Sequence, residues 1–291
     1  MFLQYIFNGL AIGMAYALVA VGYSLVFGIL RLINFSHGSV YTFGAHMTMM
    51  FIGFHWGAWY GVLASVILSG VLGVLIDKIA LAPLRRKKSI PIASLITTIG
   101  VSYIIQNMLM IIFGSERKSF PNFFDFGGID LGNIPITSSQ LILFTISLLL
   151  LLLLTFIVRF TKIGLAMRAV EQNSKAANLM GINVNSVIMF TFFLGGASAA
   201  VAGSLVAGYY QLVYPTMGFT IGLKAFAAAV LGGIGVLHGS VIGGLVVGLS
   251  ESFAAGYLGG TYRDAFAFII LIVILVIRPT GLFGKKGVTK V

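Results

Sequence analysis

The residues able to do chemistry are sparse and gather in a few places. The densest group is Asn34-Phe35-Ser36-His37-Gly38-Ser39. Asn, Ser and Gly can interrupt a helix and expose backbone amides at the start of the next one, and such an end binds a carboxylate. Transporters with discontinuous helices use that device. The plainer reading of the same residues is a turn at the membrane surface that caps the following helix. Asn8, Tyr16, Ser102, Gln106 and Asn107 scatter further polar groups through apolar sequence. Glu251 is the carboxylate placed well inside an apolar stretch. It reads either as a neutral helix-packing group or as part of a path for an ammonium group, because burial penalises its charge unless a cation is near.

Other chemistries lack their residues. The chain has no cysteine, which excludes disulfides, thiolate metal sites and cysteine nucleophiles. His37, His46, His55 and His238 show no ligand spacing, so no metal site is expected. The segment Gly281-Leu282-Phe283-Gly284-Lys285-Lys286 mimics a phosphate loop but has the wrong glycine spacing and no hydroxyl after the lysine. No Gly-x-Ser-x-Gly elbow is present. No catalytic residue and no cofactor are expected on this chain. Nucleotide energy, if used, has to come from a separate subunit.

The elements that position these residues follow from composition. Of the 291 residues, 59% are hydrophobic and 9% charged, and mean hydropathy is +1.05. Soluble domains carry about 25% charged residues, so the solvent for most of this surface is lipid. The expected fold is an all-α, polytopic membrane bundle in one domain, residues 1–291. No basic residue precedes the first apolar segment, which runs on past Ala15-Tyr16-Ala17 and reads as an uncleaved span. About eight or nine spans are expected, near 4–28, 38–54, 58–81, 91–113, 139–159, 187–208, 221–237, 239–258 and 264–281. The second, seventh and eighth are short or interrupted by glycine. With the N-terminus outside and the C-terminus inside, all of the 18 Lys and Arg except Arg117, Lys118, Lys224 and Arg263 fall on the cytoplasmic side. The net charge of +11 is thus read as topology, and no nucleic-acid partner is expected.

Thirty-seven glycines exceed the roughly 7% of average proteins, and many recur every four residues. Gly196, Ala200, Ser204 and Gly208 form one row, and Gly235, Gly239 and Gly243 another. Small residues at this spacing let helix backbones approach closely in lipid. Lys224 is placed near an external span end, where its stem can snorkel. The external loop 114–138 carries Phe120, Phe123, Phe124 and Phe126, expected as interfacial anchors or a docking surface. The internal loop 159–186 reads as one or two short helices. Met167, Val170 and Ala177 share one face, and Glu171 and Lys175 form an i,i+4 pair on another. That apolar face suits a groove on a partner or lipid headgroups.

Four blocks add a resemblance. Leu32-Ile33-Asn34-Phe35-Ser36-His37-Gly38, then Arg168 to Asn173 with Ala176-Ala177 and Gly181-Ile182-Asn183, then Lys224 to Gly235, then Arg278 to Gly284 follow in order along the chain. Together they resemble the permeases of bacterial branched-chain amino-acid ABC importers, in particular the shorter of two homologous permease types. Where that family often reads Ala-His-Gly or Ala-His-Glu, this chain has Ser36-His37-Gly38. The resemblance implies a heteromeric importer in the bacterial cytoplasmic (inner) membrane. Its expected partners are a homologous second permease, two ATPase subunits carrying ATP and Mg, an extracytoplasmic binding protein, and lipid. Arg168, Ala169, Glu171, Asn173, Ala176, Ala177, Leu179 and Gly181 are the expected ATPase-coupling residues. Asn34, Ser36, His37 and Gly38, with Asn8, Tyr16, Gln106 and Glu251, are the expected translocation path. Permeases for urea, short amides or other amino acids share much of the pattern. An ion-coupled carrier or channel is the rival from another class; it should show paired intramembrane carboxylates or a charged relay, and Glu251 alone comes close.

Overall fold

Helix α1 (Phe2–Leu30) is apolar on every side and buries Gly9 and every residue from Ala11 to Val26. A helix with no polar face belongs at the centre of its bundle, and the rest of the chain wraps this one. The computed structural model describes residues 2–55, 57–87, 89–121, 127, 129–130 and 135–284. After α1 come α2 (His37–Gly53), α3 (Ala58–Ile76), a π-helical turn (Asp77–Leu81), α4 (Ala82–Arg86) and α5 (Pro91–Phe113). Then follow α6 (Ser138–Phe160), α7 (Lys162–Gln172), α8 (Ser174–Leu179), α9 (Val184–Tyr210), α10 (Met217–Gly232), α11 (Leu237–Tyr257) and α12 (Arg263–Ile277). Strands are vestigial. β1 (Lys118–Ser119) pairs antiparallel with β4 (Leu212–Val213), and β2 (Ile129–Asp130) pairs with β3 (Pro135–Ile136).

The all-α polytopic architecture is as expected. Seven described helical stretches are long and apolar enough to cross a bilayer, one of them α3 continued through the π turn to Arg86. Helix α11, expected to be short or interrupted by glycine, is an unbroken helix of 21 residues. Helices α2 and α10 have 17 and 16, fewer than the ~20 that a bilayer crossing needs. These two cross each other at their first turns, where Gly38 lies against Gly218 and Gly222.

Small residues set the helix distances. A methyl added at Gly9 would stand 2.8 Å from the Leu249 Cα, and one at Gly13 would stand 3.0 Å from the Leu245 Cα. On α9, Gly196 faces the Ser69 backbone of α3, Ala200 fills the space left by Gly44 of α2, and Gly208 is buried. The Ser204 hydroxyl meets that of Thr48 at 2.7 Å. Gly239 packs on Gly232 and Gly243 on Ala228. Gly235 departs from its expected row: it sits in the turn between α10 and α11 with φ 88°, close to Gly28 of α1, because the chain reverses there before α11 starts.

The two ends of the bundle differ. Leu30, Arg85 and Val170 border one cleft, and Gly28, Arg168 and Gly235 another, so the loops rich in Lys and Arg share an end. At that end Asp77, buried in the π turn, is paired with Arg85. The opposite end holds the β1–β4 pair and Arg117 over the Tyr214 ring at 5.2 Å. Phe120 lies there too. It is buried, and its amide donates to the Gln211 carbonyl at 3.0 Å, so it is a core residue and not an interfacial anchor. Phe123, Phe124, Phe126, Lys88, Lys285, Lys286 and Lys290 lie outside the described residues.

Candidate functional site

Four charged side chains meet inside the bundle, toward the end opposite the basic loops. Lys224 stands on the second turn of α10, Glu251 on α11, and Arg263 and Asp264 on the first turn of α12. The Lys224 ammonium lies 2.7 Å from Glu251 Oε1 and 2.5 Å from Asp264 Oδ1. Arg263 Nε donates to the same Glu251 oxygen at 2.5 Å, and its Nη2 donates to the Tyr210 hydroxyl at 2.5 Å. The ammonium also lies 5.8 Å from the Tyr16 ring centroid. Desolvating an ion costs several kcal/mol unless partners replace water. Here two cations and two anions replace it for one another.

This placement overturns the expectation of a snorkelling lysine. Lys224 is only 4% exposed. Helix α10 packs against α1, α2, α11 and α12, and Glu251 and Asp264 hold the charge inside the bundle. Local sequence around Lys224 carries no sign of those partners, which lie 27 and 40 residues further on.

The cluster borders a cavity of about 320 Å3, with Tyr16 and Tyr41 on its polar side and Val206, Leu212, Met217 and Ile221 among its apolar walls. Helix α9 brings Tyr210 to this cavity and ends there, at Gln211 with φ 52°. The β4 pairing then returns the chain to start α10. Two atoms at the cavity lack a hydrogen-bond partner, Glu251 Oε2 and the Tyr41 hydroxyl.

The Asn34–Ser39 segment is a buried turn, not one at the surface. Asn34, Ser36, His37 and Ser39 are all buried, because α1, α9 and α10 close around the start of α2. The Asn34 side-chain oxygen accepts from the Ser36 amide at 3.2 Å and hydroxyl at 2.5 Å, an Asx turn that launches the helix. The Phe35 amide donates to Thr98 at 3.2 Å, and Ser39 meets Ser102 at 2.7 Å, tying α2 to α5. The His37 ring packs 4.7 Å from that of Tyr23, and its Nε2 has no partner. Gly22 makes room for it: a methyl there would stand 2.5 Å from Nε2. Beside this turn a second cavity of about 300 Å3 lies between α5 and α10, bordered by Tyr23, Phe35, Ser102, Gln106 and Phe219.

Of the expected path residues, Tyr16 and Glu251 therefore share the first cavity. Asn34, Ser36, His37 and Gly38 build the start of α2, and Gln106 borders the second cavity. Asn8 stands apart, accepting from Gln140 and fastening α1 to α6. Lys224, Arg263, Asp264 and Tyr41 were missed as site residues. The signal available for three of them was charge near apolar sequence.

The 159–186 loop folds as α7 and α8, each started by a side-chain cap. Thr161 accepts from the Gly164 amide at 3.1 Å, and Asn173 accepts from the Lys175 and Ala176 amides. Its apolar face is turned inward: Met167, Val170 and Ala177 are buried, because the bundle end formed by α1, α6 and α9 needs covering. The face therefore meets its own bundle, and neither of the two expected surroundings, a partner's groove or lipid headgroups. What projects is the tip, where Leu179 is 87% and Met180 83% exposed before Gly181 ends the turn with φ 85°. Ala176 and Glu171 are exposed and Ala169 is half-buried. Arg168 braces the platform, its Nη1 donating to the Arg159 carbonyl at 3.1 Å. Among the described residues no group of three His, Asp or Glu side chains is placed to hold a metal ion.

The family described as branched-chain amino acid transport system, permease component, matches residues 5–275. The high-affinity branched-chain amino acid transport system permease protein LivH of Escherichia coli (strain K12) is 38% identical over 304 residues, covering 100% of this chain and 98% of that protein. The corresponding protein BraD of Pseudomonas aeruginosa is 39% identical over 306 residues, with the same coverage. A probable branched-chain amino acid transport permease of Methanocaldococcus jannaschii is 29% identical over 281 residues, covering 92% of this chain and 88% of that protein.

Proposed function

The chain belongs to the branched-chain amino acid transport permease family, and on that premise we propose that it is the membrane-spanning subunit of an ATP-binding-cassette importer for leucine, isoleucine and valine. A homologous permease completes the pathway, two ATPase subunits bind ATP and Mg beneath it, and an external binding protein delivers the substrate. The basic end faces the cytoplasm, in line with the positive-inside rule. The chain breaks no bond and transmits motion.

The observation that carries this reading is the α7–α8 platform. Its buried face, through Met167 and Val170, is fixed to the bundle, while Leu179 and Met180 project as a small apolar knob. A knob of this kind seats in a groove on a partner. Movement of the partner then reaches α1, α6 and α9, which the platform touches. The small-residue contacts of α1 and α9 let them re-pack without large side chains blocking the slide.

The test is co-purification. Leu179→Glu and Met180→Glu place a charge on the knob and leave the buried face intact. Each is expected to lower ATPase recovery with the tagged chain about tenfold, equivalent to about 1.4 kcal/mol, with the amount of folded chain unchanged. Undiminished recovery in both would overturn the docking role. The buried Lys224–Glu251 pair is also a feature of ion-coupled carriers. Accumulation of leucine by the isolated chain in vesicles, driven by an ion gradient without ATP, would decide for that reading.

A further inference from the structure

Glu251 and Tyr41 both border the 320 Å3 cavity, Tyr16 is hydrogen-bonded to the Glu251 carboxylate, and Glu251 Oε2 and the Tyr41 hydroxyl are buried with no partner within hydrogen-bonding geometry. Buried polar groups in native proteins are almost always paired, and leaving one unpaired costs about 1–3 kcal/mol. An unmet acceptor and an unmet hydroxyl on two side chains that border one cavity describe a ligand that brings a donor and an acceptor of its own.

Charge narrows the class. Lys224 and Arg263 balance Glu251 and Asp264, so a net cation or anion would leave the low-dielectric site with one uncompensated charge. A zwitterion would not. Of the remaining walls, Val206, Leu212, Met217 and Ile221 are apolar and suit an aliphatic side chain, while Tyr210, Tyr214 and Thr220 add hydroxyls. The volume sits at the lower limit of small-molecule sites, about 300–1,000 Å3. Asp264 is 58% exposed and Glu251 1%, so the cluster runs from the mouth of the cavity to its floor.

We propose that this cavity binds an α-amino-acid zwitterion with an aliphatic side chain, the ammonium group on Glu251 Oε2 and the carboxylate served by the Tyr41 hydroxyl and the Lys224 and Arg263 cations. The choice of amino acids as ligands rests on the importer reading above; the place of binding is new. The ion pairs among Lys224, Glu251, Arg263 and Asp264 hold these groups at the cavity.

The chain has no cysteine, so a cysteine introduced at the cavity is the single thiol of this subunit, and its labelling is read on this subunit after the complex is separated by gel electrophoresis. Ala207→Cys and Thr220→Cys both border it. In the assembled complex in lipid nanodiscs, without the binding protein, the rate of maleimide labelling is measured with and without leucine. For a transit site with Kd of about 1 mM, leucine at about 10 mM slows labelling roughly tenfold. Leucinamide and 4-methylpentanoate each lack one of the two charges and give no protection. Glu251→Gln and Tyr41→Phe each abolish protection by leucine, and Tyr41→Phe removes only a hydroxyl, so folding is preserved. If leucine protects neither cysteine, if neither cysteine reacts, or if protection survives Glu251→Gln, the proposal is wrong. ATP-driven leucine uptake by the same complex is scored separately. Uptake without protection rejects the site and keeps the importer; protection without uptake rejects the importer and keeps the site.

Discussion

Lys224 shows how a charge survives at membrane depth. Its ammonium touches two carboxylates and lies near an aromatic face, and Arg263 supports the shared carboxylate from the other side. Removing one partner of such a group is worse than removing both, because the survivor stays buried and unpaired. Lys224→Met is therefore expected to destabilise the protein by about 3 kcal/mol or more, and Lys224→Met with Glu251→Gln to recover most of that loss. Thermal unfolding in detergent measures both. A double variant no more stable than the single one would show that the pair does not act as a unit.

At the scale of elements, the bundle is held by surfaces without side chains. Gly44 of α2 and Ala200 of α9 touch where a methyl on Gly44 would stand 2.5 Å from the Ala200 Cα. Gly44→Ala is expected to cost about 1–3 kcal/mol through overpacking. Gly100, on the exposed face of α5, has no atom within 4 Å of an added methyl. Gly100→Ala is expected to leave stability unchanged or raise it by up to about 1 kcal/mol. Melting temperatures of the two variants side by side check the contrast, and equal losses would refute it. The same reasoning explains α7, whose apolar face closed the end of its own bundle instead of remaining free for a partner.

For the whole molecule, the consequence is polarity between two ends. The loops carrying Arg85, Arg168 and the Leu179–Met180 knob meet at one end, and Glu116, Arg117 and the β1–β4 pair lie at the other. With the basic end cytoplasmic, Ser115→Cys should react with a membrane-impermeant maleimide on intact cells. Met180→Cys should react only after permeabilisation. The reverse pattern would invert the orientation, and with it the direction of transport.

Lipid as solvent, the all-helical fold and the near positions of the helices were determined by sequence alone, because they depend on local hydropathy, and every backbone group in hydrocarbon has to be paired within its own helix. Glu251 stood out for the same reason, a carboxylate surrounded by apolar neighbours in sequence. Tertiary structure decided what each polar group meets. Lys224 looked like a residue at a helix end until α12 brought Asp264 beside it. The Asn34–Ser39 turn read as a surface cap until α9 and α10 closed over it, and Met167, Val170 and Ala177 faced inward because a bundle end lay behind them. An apolar or charged side chain has several acceptable surroundings, and local periodicity does not distinguish among them. The partners that do so come from helices tens to hundreds of residues away, where packing and the demand for neutral charge select a single arrangement.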